Sequence, residues 1–168
     1  MTIRKIKTSD SELLLNFFKE LVALDPERVE RPGDVNKITE EAERKWIKQR
    51  LIKEEKKDIF VLCGLNDEGK IVIEGEVERL PRWIERHVAE IRFGVLPKYD
   101  DIAEELVKKL IEIAKENNIE ILTYFHLDTQ KTGIEIMKKL GFETMGSIKR
   151  YYKRDKEYID RIYFVKYL

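Results

Sequence analysis

The most regular pattern in the chain lies between His87 and Asn118. From Ile102 onward, Ile102, Leu106, Leu110 and Ala114 recur every four residues, with Ala103, Val107 and Ile111 beside them on the same face. The opposite face carries Glu104, Glu105, Lys108 and Lys109, two Glu-before-Lys pairs one turn apart. Asp101 with Glu104 reads as a capping box at the start of this helix. An alternating segment, His87 to Leu96, leads into it and stops at Pro97. There Ala89, Ile91, Phe93 and Val95 point one way and Val88, Glu90, Arg92 and Gly94 the other. Ile119 to Leu127 is a further strand, without Gly or Pro. Strand, helix and strand at this length imply a right-handed crossover, so the two strands are expected to be parallel neighbours. A strand aimed at a helix N-terminus favours an anionic ligand, because free amides and the helix dipole meet there.

The remaining elements arrange themselves around this unit. Thr2 to Lys7 reads as a short edge strand, and Ser9 with Glu12 as a capping box for a first helix. That helix would bury Leu13, Leu14, Phe17, Phe18, Leu21 and Val22. A charged loop, Asp25 to Lys37, precedes a second helix capped by Thr39 and expected to bury Ala42, Trp46 and Leu51. Asp58 to Leu65 and Lys70 to Leu80 form a hairpin turned at Asn66-Asp67-Glu68-Gly69. Trp83 lies in the short link that follows, over a cleft or against the sheet edge. Gln130 to Leu140 is a last helix, with Gly141 placed to end it. Met145 to Tyr152 and Tyr158 to Tyr167 read as a closing antiparallel hairpin. The expected fold is a mixed α/β sheet of six to seven strands, mostly antiparallel around a central parallel pair, flanked by about four helices.

Composition narrows the function classes. The 168 residues suit a single domain over residues 1–168. Lys plus Arg and Asp plus Glu both total 33, so the formal net charge is zero and nucleic acid is not the expected partner. Charged residues make up 39%, a thermophile-like usage suited to surface ion pairs. The lone Cys63 sits in an apolar run and reads as a small core residue. No apolar stretch approaches membrane-span length and the N-terminus does not read as a signal peptide, so a cytoplasmic protein without a membrane partner is expected.

Three segments resemble the GNAT acetyltransferase superfamily. Ala89-Glu90-Ile91, Val95-Leu96-Pro97-Lys98-Tyr99 and Leu106-Val107-Lys108-Lys109-Leu110 are similar to its central motif. Met137-Lys138-Lys139-Leu140-Gly141-Phe142 is similar to its last helix. The third is the tail, Tyr151-Tyr152 followed by Tyr158-Ile159-Asp160 and a final strand. The resemblance orders the chain from about Ile3 to Leu168 and implies that the parallel strands diverge at their C-terminal ends. It implies acetyl-CoA as co-substrate and an amine as acceptor, either a small molecule or a protein or peptide amine, with no metal; a homodimer is a compatible assembly. The pantetheine arm would lie on the central strand at Phe93, Gly94 and Val95, and the pyrophosphate near Lys98, Ile102 and Ala103, with Gln130 as a further hydrogen-bonding contact. The first two helices would flank the acceptor cleft.

Acetyl transfer to an amine requires that a proton be taken from the ammonium and that the leaving thiolate be accommodated. Glu90 matches a general-base glutamate of the family; Arg92, two residues on and on the same face, equally suits a plain ion pair with it. His126 is a second candidate for base or water relay. The last helix carries Met137 where many members have tyrosine, so Tyr151 or Tyr152 would supply a phenol, Tyr152 being the catalytic assignment; in a hairpin both also suit cross-strand packing. The family's glycine-rich phosphate loop is replaced by Asp100-Asp101-Ile102-Ala103, shorter by about two residues. Two aspartates beside an expected pyrophosphate repel it by about 1 kcal/mol per close charge at high dielectric. The sequence thus supports an N-acetyltransferase acting by direct attack in a ternary complex. Its alternative is a catalytically inactive GNAT-fold binding or regulatory protein with impaired acyl-CoA binding.

Overall fold

The computed structural model describes residues 1–168. Strand β1 (Thr2–Lys5) is followed by helix α1 (Ser11–Leu24), the short α2 (Pro32–Val35) and α3 (Glu40–Glu55). Strands β2 (Ile59–Leu65), β3 (Ile71–Arg79) and β4 (Val88–Val95) lead to α4 (Asp100–Glu116). Then come β5 (Ile121–Leu127), α5 (Lys131–Lys139), β6 (Glu143–Arg154) and β7 (Glu157–Tyr167). The sheet has seven strands in the order β1-β2-β3-β4-β5-β7-β6. Only β4 and β5 are parallel; every other neighbouring pair is antiparallel. No helix is long and apolar enough to cross a membrane.

Helix α4 seats the core on one face of the sheet. Leu106, Leu110, Ala103 and Ala114 are fully buried, each leucine contributing about 2 kcal/mol of burial. Gly75 makes this approach possible. A Cβ there would lie 2.6 Å from Leu106 Cδ2 and 3.1 Å from the Arg92 carbonyl. Cys63 is fully buried, and burial pushes its thiol up to about 11.

The other face is charged. Glu74, Glu76 and Glu78 alternate along β3 and stand opposite Gly94, Arg92 and Glu90 of β4. This decides how α3 sits. Instead of Ala42, Trp46 and Leu51, it buries Glu43 and Ile47, leaving Ala42 exposed and Trp46 and Leu51 half-buried. Arg50 and Lys53 thereby reach Glu76 at 3.2 Å and Glu78 at 2.7 Å. An apolar face of α3 laid on those carboxylates would strand them without counter-ions.

Several local expectations change. The start of α1 is organised by Asp10 rather than by Ser9 and Glu12. Asp10 accepts the Lys7 amide at 2.7 Å and the Arg4 guanidinium at 2.7 and 2.9 Å. Two charge-assisted bonds outweigh what a serine hydroxyl could offer. The Asp25–Lys37 loop contains the extra helix α2, so five helices flank the sheet. Thr39 caps α3 as expected, accepting from the Ala42 amide at 3.2 Å. Trp83 is 86% exposed and packs on neither cleft nor edge. The final hairpin runs two residues further at its turn than its apolar pattern, because Lys153 and Arg154 pair with Tyr158 and Glu157.

Gly75→Ala should lower the unfolding free energy by about 1–3 kcal/mol, since the added methyl must displace Leu106 against a packed core. Gly33→Ala meets nothing within 4 Å and should leave stability unchanged or slightly raised. Urea denaturation of both variants checks this; equal midpoints would remove the close-approach argument.

Candidate functional site

The site begins where a ladder stops. β4 and β5 pair at only three positions, Val88 with Ile121, Ala89 with Leu122 and Glu90 with Thr123. Beyond them β4 continues on β3 as far as Val95, and β5 continues on β7 as far as Leu127. The facing edges therefore separate, and a cleft of about 380 Å³ opens between them. Phe93, Gly94 and Val95 line one side, and Gln130 and Gly133 line the other. Leu21 and Arg28 close it from α1 and the loop after it. Gly94 is again a matter of space: a Cβ would stand 2.6 Å from Leu21 Cδ2 and 3.3 Å from an Arg28 guanidinium nitrogen.

The cleft runs toward the N-terminus of α4. Leu96-Pro97-Lys98-Tyr99 forms a turn closed by the Tyr99 amide on the Leu96 carbonyl at 3.2 Å. Lys98 occupies its third position at φ 79°, where glycine is usual. Tyr99 is the N-cap, and no side chain caps the helix. The Asp101–Glu104 box does not form. The helix already begins at Asp100, two residues too early for Asp101 to be its cap, and Glu104 is drawn away to Lys108 and Lys139 at 2.6 and 2.5 Å. The terminus is thus left without the competitor the sequence suggested. Asp100 itself lines the cleft.

His126 and Gln130 stand on the β5 side. The imidazole is held against Gly133, where a Cβ would come within 2.2 Å of Nε2. Its Nδ1 is buried without a hydrogen-bond partner. Burial drives its pKa down to about 4, with the Arg28 charge adding to the depression and a Gln130 hydrogen bond opposing it. His126 is therefore neutral near pH 7. Gln130 Oε1 accepts from the Leu127 amide at 3.3 Å, which ties its side chain to the end of β5. Tyr124, stacked on Phe93 with centroids 5.9 Å apart, forms the wall behind, and burial raises its phenol pKa.

Glu90 faces the charged side of the sheet, in a polar pocket of about 420 Å³ shared with Glu78 and Arg92. Arg92 is the hub of this pocket. It lies 2.6 Å from Glu76, 2.6 Å from Glu78 and 3.5 Å from Glu90. Arg92 also reaches a small cavity shared with His126 and Phe93, so it stands between Glu90 and the cleft region. Tyr152 lines a third pocket of about 420 Å³, with Arg28, Leu127 and Arg154. Burial raises its pKa first, and the nearby charge of Glu90 adds to the rise while Arg161 opposes it. The hairpin separates the two tyrosines: Tyr151 is exposed and accepts a hydrogen bond from Arg161 at 2.9 Å, whereas Tyr152 is half-buried.

The sequence-derived residues are thus divided. Phe93, Gly94, Val95 and Gln130 come together in one cleft. Glu90 and Tyr152 line separate pockets on its flank. Ile102 and Ala103 do not line the cleft: Ala103 is fully buried in the core, Ile102 packs on the core's edge, and its amide is bonded to the Tyr99 carbonyl. Lys98 is exposed on the turn, also outside the cleft lining. Sequence reasoning missed Arg28, which lines the cleft, the small cavity and the Tyr152 pocket alike. Arg28 is paired with Glu30 at 3.0 Å, while Arg154 binds Glu27 at 3.2 Å and the Arg28 carbonyl at 3.2 Å. One charged residue in a charged loop gives no signal of that reach.

A family model for the acetyltransferase (GNAT) domain matches residues 3–163, and the chain belongs to this family. Solved structures share its whole course. A GNAT-family acetyltransferase from Streptococcus pneumoniae superposes with a TM-score of 0.88 at 19% identity, covering 99% of both chains. A ribosomal-protein-alanine N-acetyltransferase from Brucella melitensis gives 0.83 at 20% identity, covering 100% of both. A phosphinothricin acetyltransferase from Sinorhizobium meliloti, in complex with acetyl-CoA, gives 0.81 at 16% identity, covering 99% of this chain and 88% of that one. At these identities the likeness establishes the fold. No curated protein sequence matches the chain.

The depressed His126 pKa has a consequence for stability. Above pH 6.5 the imidazole is neutral in both folded and unfolded chains and contributes nothing. As pH falls from 6.5 toward 4, the unfolded chain binds a proton that the folded one refuses, and stability drops by up to about 3 kcal/mol. His126→Gln should lose less over that range; urea unfolding at pH 7 and pH 4.5 measures the difference, and identical slopes would contradict the buried, neutral imidazole.

Proposed function

We propose that this protein transfers an acetyl group from acetyl-CoA to a primary amine by direct attack in a ternary complex. The observation that carries the reading is the cleft opened where β4 and β5 part beyond Glu90 and Thr123. Its features fit the co-substrate. Backbone edges separate over the length of Phe93 to Val95, Gly94 leaves room a side chain would fill, and the uncapped start of α4 attracts phosphate. Acetyl-CoA supplies the activated thioester; the protein supplies position and proton handling.

Glu90 is the base, taking the ammonium proton directly or through a water. Arg92 divides its charge among three glutamates, and Glu90, at 3.5 Å, is the one held most loosely. It is thus the carboxylate of this group least tied to the guanidinium. Tyr152, kept protonated by burial, donates to the departing thiolate. Arg92 positions Glu90, and Gln130 positions the end of β5 beside His126. The Tyr152 pocket, bordered by Arg28, Lys153 and Arg154, receives the amine, small or peptide-borne. A second assignment of the base, His126, is favoured by its unpartnered Nδ1 and its neutral state in the cleft itself.

Glu90→Gln should reduce kcat by about 100-fold or more with the KM for acetyl-CoA nearly unchanged. Undiminished turnover in that variant, together with a collapse in His126→Gln, moves the base to the imidazole. Asp100 carries the one carboxylate at the start of α4 that lines the cleft, so Asp100→Asn should tighten acetyl-CoA binding severalfold, read by calorimetry. If the parent and this variant both fail to bind acetyl-CoA, the acetyltransferase reading gives way to a GNAT-fold binding protein.

A further inference from the structure

A second cavity lies further toward the N-terminus of α1 than the cleft. Its volume is about 410 Å³, within the range of small-molecule sites. Leu14, Phe17 and Phe18 of α1 and Ile38, Ala42 and Trp46 at the start of α3 form its apolar walls. It shares no residue with the acetyl-transfer cleft, which meets α1 one turn later at Leu21. Two carboxylates complete the lining, Glu43 from α3 and Glu74 from β3.

These two acids are the exceptions on a face where glutamates have cations. Glu76 has Arg50 and Arg92, Glu78 has Lys53 and Arg92, Glu90 has Arg92, and Glu54 has Lys5. Glu43 is only 9% exposed and has no cation partner, although its carboxylate oxygens keep contact with solvent. Glu74 Oε1 is buried with no hydrogen-bond partner. Buried acids are ordinarily paired, and both unpaired ones here open into the same apolar space. Arg50, whose guanidinium lies over the Trp46 ring at 4.7 Å, is committed to Glu76.

We infer that this cavity is a second ligand site for an organic ammonium with an apolar body, an alkylamine or arylalkylamine whose cationic head sits between Glu43 and Glu74. The walls suit the tail, since they are aliphatic and aromatic; the head finds the two acceptors that nothing in the protein satisfies. Without a ligand, Glu74 holds a proton near neutral pH. Burial, reinforced by Glu76, raises Glu74 to about 8 against the charges of Arg92, Arg50 and Arg28, and burial raises Glu43. Glu74 also faces Cys63 across the β2–β3 ladder, while α1 brings only Leu14, Phe17 and Phe18. An entering ammonium replaces the held proton, which leaves to solvent. The inference is independent of the acetyl-transfer reading.

Trp46 lines the cavity, and the only other tryptophan, Trp83, is exposed. In a Trp83→Phe background, Trp46 fluorescence is therefore a local reporter. Titration with hexylammonium should give a saturable change, at least tenfold tighter than with 1-hexanol, which has the same tail and no charge. Glu74→Gln and Glu43→Gln keep the side-chain shape, and each should weaken hexylammonium binding at least tenfold. Ala42→Phe, placed at an exposed position on the cavity's rim, should abolish it without touching the core. Glu90→Gln should leave the titration unchanged, which separates this site from the amine pocket of the transfer reaction. Equal binding of hexanol, full affinity in the two glutamine variants, or no saturable response in the folded parent would overturn the proposal and leave Glu43 and Glu74 as unpaired acids of the fold.

Discussion

The structure depends on a ladder that is allowed only three rungs. Parallel strands joined by a packed crossover helix ordinarily pair along their length, because each unpaired buried amide or carbonyl is costly. Here β4 and β5 part after Glu90 and Thr123, while each keeps its other neighbour, β3 or β7. The separation is held from both sides. Helix α4 pins β3 and β4 through the close approach at Gly75, and α5 with His126 fills the space beside β5. A sheet that closed here would gain hydrogen bonds and lose the cleft between the two strands.

The second organising feature is electrostatic. β3 carries a file of glutamates, buried at Glu76 and half-buried at Glu74 and Glu78, and the cations that answer Glu76 and Glu78 come from two directions, Arg50 and Lys53 from α3 and Arg92 from β4. Buried pairs of this kind contribute little net stability but penalise any arrangement that leaves one partner alone. They therefore act as a register device, fixing the rotation of α3 about its axis and the reach of Arg92 toward Glu90. The same network leaves Glu90 the most weakly held of the three carboxylates around Arg92.

Much of this was legible in the sequence, for identifiable reasons. The period of Ile102 to Ala114 and the alternation of β4 fixed the crossover unit, since both patterns reflect a single buried face. Thr39 announced the start of α3 because capping is local chemistry. What failed was whatever depended on a partner distant in the chain. Trp46 and Leu51 outweigh Glu43 and Arg50 in any hydrophobic count, yet α3 turned toward charges that lie on β3. Asp10 displaced Ser9 for a nearer reason, because Arg4, six residues back on β1, and the Lys7 amide both turn toward it. Asp101 did not cap α4, since Glu104 found Lys139 on another helix. For the site, Phe93 to Val95 and Gln130 were readable from motif position, whereas Ile102 and Ala103 faced the core and Arg28 had no pattern to mark it.

The clasp between Arg154 and Glu27 joins residues 127 positions apart. One wall of the Tyr152 pocket is made near the start of the chain and the other near its end. During synthesis, β2 to β5 can each dock on a strand already made. The pocket cannot, until the last hairpin has left the ribosome and crossed back over the first loop. Contacts of such separation carry the largest loop-closure cost and form late. The Tyr152 pocket is thereby assembled late, and a chain that stops before β6 lacks its second wall.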